Sequence, residues 1–197
     1  MQKMALPLTR KDLLQRIAVE TARMSYPGSM SRGKKPVVTE GTKAALEAYF
    51  QDVFPIAAVW NSAPEIAPQY DAWHKDRVNE IAAHIGPNIS AHNVQASVAA
   101  KFLNTFMHQL MKYQEARPLF TCLHLPLDAR VFDKLLRIRS PSLTPLRATF
   151  KSPPYSLPYQ EHAKIQAALW AFIAELNARP NVGFQLASRI ELNWLWL

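Results

Sequence analysis

The chain has little cysteine, little glycine and no long apolar run, and each shortage closes off a class of protein. A single cysteine, Cys122, means that no disulfide can form within the chain, which suits a reducing compartment. Five glycines against fifteen prolines argue against glycine-dependent phosphate cradles and favour helices separated by stiff connections. No stretch reaches eighteen apolar residues, so no membrane span is expected. Leu6–Leu8 is too short for a secretory signal core, and charged residues follow it. These absences lead to the expectation of a cytoplasmic protein. Also missing are HExxH, the GxSxG elbow, and any zinc-finger or zinc-ribbon spacing between Cys122 and the histidines.

What the chain does contain is helical periodicity. In SAHNVQASVAAKFLNTFMHQLMKY, Ala99, Phe102, Phe106 and Leu110 recur at spacings of three and four beside Val98, Leu103 and Met107. After QEARPLFTCLHLP a second helical pattern, LDARVFDKLLRI, begins near Pro126 and Asp128. An N-terminal helix capped by Thr9 with Asp12 is expected at the periphery. Further helices follow Thr39 or Thr42, run from Tyr70 to Ile85, and start again near Pro158. AVWNSAPEIAPQY reads as an irregular connection. The end, LASRIELNWLWL, fits either strand alternation or a helix, with helix or a docked tail favoured in this background. The expected fold is all-α, a compact multi-helix domain with proline-rich connections over residues 1–197. A flexible basic loop is expected at 25–38.

The net charge of +8 is distributed in blocks. Residues 1–39 carry +6, residues 40–100 carry −4, residues 101–160 carry +6, and the rest is neutral. Two basic segments flanking an acidic one can converge into a face attractive to DNA or another polyanion. Candidate contacts are Arg32, Lys34 and Lys35 in the loop, with Lys101, Arg130, Lys134, Arg137 and Arg139 in the later segment. Solvated surface is the alternative reading of all of them.

Candidate chemistry centres on Asp128. At a helix start its carboxylate meets free amides, so a capping role alone accounts for it. Beside Arg130, Lys134 and Arg137 it is also placed to stabilise a developing cation or orient water while the bases hold phosphate. Cys122 reads as a buried small hydrophobe, and Asp71, Asp76 and Glu80 read as a solvated helix face. The spacing of the six histidines suggests no metal site, and no cofactor is expected.

KFLNTFMHQL followed by LHLPLDARVFDKLLRI resembles the latter half of the helix-hairpin-helix DNA glycosylase core, over roughly 40 residues. Lys101, Leu103 and Asn104 match its first element in character, and Pro126, Asp128 and Val131 match its second. The resemblance implies an all-helical fold, with Asp128 at the position of the catalytic aspartate. NISAHNVQAS lacks the family's hairpin glycines, no nucleophilic lysine stands at the hairpin's end, and the family's cysteine cluster is absent. The expectation is therefore a nucleic-acid-binding protein, a diverged or inactive relative of these glycosylases. The alternative is a non-enzymatic interaction module that engages a protein partner, or a second copy of itself, through the apolar C-terminal segment.

Overall fold

The structure, a computed structural model, describes residues 9–26, 30, 36–91, 93–180 and 183–195. Among them the fold is all-α, and the only extended pairing is an isolated antiparallel bridge between Val38 and Ile89. No helix among the described residues is long and apolar enough to cross a membrane.

Helix α1 spans Arg10–Ser25 and opens on a reciprocal cap. The Asp12 amide donates to Thr9 Oγ1, and the Thr9 amide donates back to the Asp12 carboxylate. Leu14, Ile17, Ala18 and Ala22 are buried, whereas Leu13 is exposed. This helix packs along α6 (Gln95–Leu110), so it is more central than its modest apolar stripe suggests. Even its Thr21 and Ser25 are buried, the Ser25 hydroxyl donating to the Thr21 carbonyl.

Helix α2 (Thr42–Ala48) follows Gly41, whose φ of 93° lies in the left-handed region that favours glycine. Neither threonine caps it; the hydroxyls of Thr39 and Thr42 both donate to the Asn88 carbonyl, tying this turn to the end of α5. A π-turn over Tyr49–Val53 leads into the segment expected to be irregular. That segment instead folds into two short helices, α3 (Ile56–Asn61) and α4 (Ala63–Ile66), ending in a 3-10 turn at Ala67–Gln69. Ser62, Pro64 and Pro68 break the run at each turn, but Ile56, Val59, Ala63 and Ile66 are buried, so burial holds helical turns that propensity alone would not.

Helix α5 (Tyr70–Ile85) lies along α6, and the two form the most extensive helix pairing in the fold. Every residue of the expected α6 stripe is buried, and Phe106 stacks on Phe50 with ring centroids 3.9 Å apart. The polar residues before α6 do not cap it. Its N-cap is Val94, whose amide donates to the Tyr155 carbonyl, while Ser90 and Asn93 donate to the carbonyls of Pro36 and Val37.

A 3-10 stretch over Gln114–Cys122 leads to α7 (Ala129–Arg137), and three further 3-10 turns thread the prolines between 144 and 156. Helix α8 spans Tyr159–Asn177, and the chain closes with a 3-10 turn at Arg189–Glu191 and α9 (Leu192–Leu195). The helical reading of the C-terminal segment is the one observed.

Two apolar clusters result. One gathers α1 to α6 as far as Leu123, together with Ile190; the other gathers Leu125, α7, α8 and Leu192. His124 sits on the chain between them, and the layer around it is polar.

Candidate functional site

Asp128 ends an extended strand of backbone and caps α7, its Oδ1 accepting from the Val131 amide at 3.0 Å. Its other oxygen accepts from Lys101 Nζ at 2.8 Å. Lys101 comes from the middle of α6, and its side chain is only 11% exposed against 32% for Asp128. So thorough a burial leaves the ammonium few partners but this carboxylate. Burial alone would raise the Asp128 carboxyl. The charge and hydrogen bond of Lys101, with the amides of Val131 and Arg130, more than offset that and hold it below the usual carboxylate range. The carboxylate is therefore ionised at neutral pH. Beside it lies a cavity of about 10 Å³, lined by Ser97, Lys101, Leu127, Pro154, Leu157 and His162. That is room for about one water, whereas small-molecule sites run to roughly 300 Å³ or more.

Among the candidate site residues that are described, Lys101 and Asp128 are joined by a direct contact. Arg130, Lys134, Arg137 and Arg139 are exposed along and just beyond α7. Thr149–Lys151 packs against α7, and Arg147 Nη2 donates to the Ile138 carbonyl, so Arg147 and Lys151 belong to the same region. Between residues 128 and 151 the chain carries six bases and two acids. Arg32, Lys34 and Lys35 lie outside the described residues, so convergence of the two basic segments has no structural description.

The polar layer between the apolar clusters holds a constellation that sequence reasoning missed. His74 on α5, His124 before α7 and His162 on α8 are all buried, and a ring nitrogen from each lies within 4.8 Å of the other two. The rings of His74 and His162 are nearly parallel, with centroids 5.7 Å apart. His124 Nε2 is 2.7 Å from Asp71 Oδ1, and His124 Nδ1 is 3.4 Å from His162 Nε2. His74 Nε2 is 2.7 Å from Asn104 Oδ1, and its Nδ1 is 2.8 Å from the Tyr159 hydroxyl.

Burial, the largest influence, pushes all three histidines down, His162 to about 3. Neighbouring imidazoles and the Arg189 cation add to the effect at His74 and His124. At neutral pH the rings are uncharged, so the His124–Asp71 contact is a hydrogen bond from Nε2–H to a carboxylate that is itself 81% exposed. That leaves His124 Nδ1 with a lone pair directed at His162. Arg189 closes the layer from the C-terminal turn. It is buried and donates to the carbonyls of Leu123 and Cys122, with its guanidinium 5.1 Å from the Trp170 ring centroid. Two polar atoms of this neighbourhood, Tyr70 Oη and Asn104 Nδ2, are buried without a hydrogen-bond partner.

Fifty and thirty-eight residues separate the three histidines, so no local spacing betrays them. The available signal was positional. His74 and His162 each fall on the buried side of their helix, among Tyr70, Val78, Ile165 and Leu169.

Cys122, expected to be a buried small hydrophobe, is only partly buried. Its Sγ donates to the Leu119 carbonyl, and burial pushes the thiol up to about 11, with Arg189 opposing, so it is a poor nucleophile. The acidic face of α5 is less uniform than expected, since Asp71 serves His124 while Glu80 accepts from Tyr49 and pairs with Arg77. Against known proteins, no family model, no curated protein and no solved structure matches this chain.

Proposed function

We propose that this chain is a helical nucleic-acid-binding protein that engages the phosphate backbone through α7 and the turns packed on it. The observation that carries the reading is the density of exposed base there: Arg130, Lys134, Arg137, Arg139, Arg147 and Lys151 against Asp133 and the already paired Asp128. Phosphate contacts of this kind give affinity without sequence preference. In this reading Asp128 acts through α7. It caps the helix, holds Lys101, and fixes the angle at which the arginines are presented. The 10 Å³ cavity beside it is far too small for an extruded base, which favours binding over base excision. The protein-partner alternative rests mainly on Trp194 and Trp196, whose side chains lie outside the described residues.

The test is fluorescence anisotropy with labelled duplex DNA, single-stranded DNA and RNA across a salt series. Affinity is expected to fall steeply with salt, with Arg137→Ala flattening the log–log slope by about one unit or less. An absence of binding at low salt would rule the proposal out. Incubating the same duplexes and looking for abasic sites tests the catalytic version, for which no product is expected.

A further inference from the structure

We propose that His74, His124 and His162 form a binding site for one divalent first-row transition-metal ion, zinc by preference. The inference is independent of nucleic-acid binding.

Three observations carry it. The first is distance. Zinc–imidazole bonds of about 2.0–2.1 Å set the edge of a tetrahedron near 3.4 Å, and His124 Nδ1 to His162 Nε2 is 3.4 Å. A His74 ring nitrogen lies within 4.8 Å of both, so binding an ion draws that ring inward.

The second is the outer shell. Imidazoles that ligate metals donate their other N–H to a carboxylate or carbonyl, which fixes the tautomer and aims the lone pair. Asp71 does this for His124 and Asn104 Oδ1 for His74. With Nε2–H given to Asn104, His74 presents Nδ1, which now accepts from Tyr159 Oη. Metal binding requires that hydroxyl to turn aside or to become a ligand itself.

The third is composition. Three neutral nitrogens without thiolate suit zinc, copper, nickel or iron, and not magnesium or calcium. A three-imidazole set leaves one tetrahedral position for water or another ligand. Arg189 works against a cation here, and the Asp71 carboxylate on the opposite side of His124 works for it. The solvent side of the layer is marked by a surface cavity of about 530 Å³ bordered by Tyr70, Asp71, Cys122 and Arg189.

The experiment uses the full chain, free of any histidine tag and stripped with chelator. It is dialysed against zinc, and bound metal is counted by mass spectrometry. One equivalent is expected, with a melting temperature several degrees above the stripped protein and no response to magnesium. His162→Gln and His124→Gln should weaken zinc binding about a hundredfold, while His84→Gln, an exposed histidine on α5, should leave it unchanged. These variants alter a buried layer, so a second readout on the wild-type chain avoids reliance on their folding. X-ray absorption of the zinc-loaded protein should show three imidazole ligands, and the cobalt form should show intense tetrahedral absorption bands. Failure of the folded protein to retain zinc at 100-fold molar excess overturns the proposal. So does stoichiometric zinc with fewer than three imidazoles, or zinc binding that His162→Gln and His124→Gln leave intact.

Discussion

Two buried polar neighbourhoods share a wall in this protein, since His162 and Lys101 line the same small cavity, yet they meet the cost of burial in opposite ways. Around Lys101 and Asp128 the groups stay charged. An ammonium and a carboxylate lie 2.8 Å apart, the acid partly open to solvent and braced by helix amides. Around the three histidines the groups give up charge: His124 donates to Asp71, His74 donates to Asn104 and accepts from Tyr159, and His162 meets His124. The difference follows from pKa. A lysine–aspartate pair would need shifts of several units to neutralise, whereas an imidazole begins near neutrality and sheds its proton at small cost. The two neighbourhoods should therefore fail at different pH.

The largest expected effect tests that directly. The folded-state pKa of each buried histidine is depressed, so below about pH 6.5 the unfolded chain takes up protons that the folded chain refuses. Their stabilisation is complete above that value and is lost as pH falls, by at most about 1.4 kcal/mol per unit for each ring. Urea unfolding of metal-free protein should show a loss of up to about 6 kcal/mol between pH 7 and pH 5, the three rings together. The Asp128 carboxyl, also depressed, adds its loss only below about pH 4. A midpoint that holds steady to pH 5 would erase the contrast.

Next in size, Arg189→Met removes the buried cation, strands the carbonyls of Leu123 and Cys122, and should cost about 3–4 kcal/mol. It should also raise the histidine pKa values, which histidine proton NMR would follow.

Asp128→Asn keeps an oxygen for the Val131 amide but leaves Lys101 without its anion, for an expected loss of about 1–3 kcal/mol. Asp128→Ala should cost about 1 kcal/mol more, the worth of the cap. Equal losses in the two variants would mean that the cap contributes nothing. Smallest of all, Arg137→Ala should leave the unfolding midpoint within about 0.5 kcal/mol of wild type while weakening nucleic-acid binding.

Legibility in the sequence divided along similar lines. The α6 stripe, the Thr9 cap and the Asp128 helix start were readable because they are local, each needing only spacings of three or four residues. The short helices after Pro55 were not, because tertiary burial rather than propensity holds them. The ion pair was half legible: Asp128 was named as a helix cap or catalytic acid and Lys101 as a phosphate contact, rather than as partners of one another. The histidine layer was not legible at all, because it depends on how α5, α8 and the link before α7 cross. A histidine on an apolar helix face carries no mark of which distant ring it will meet.

Arg189 also has a bearing on the order of assembly. Its guanidinium and the neighbouring Ser188 hydroxyl reach back across 66–68 residues to hold the carbonyls of Phe120, Cys122 and Leu123. During synthesis the first apolar cluster can gather, apart from Ile190, while those carbonyls still face water. The junction between the two halves is sealed only once Ser188 and Arg189 have emerged and folded back. A chain cut before Ser188 would thus keep most of both apolar clusters with its central polar layer left open on one side.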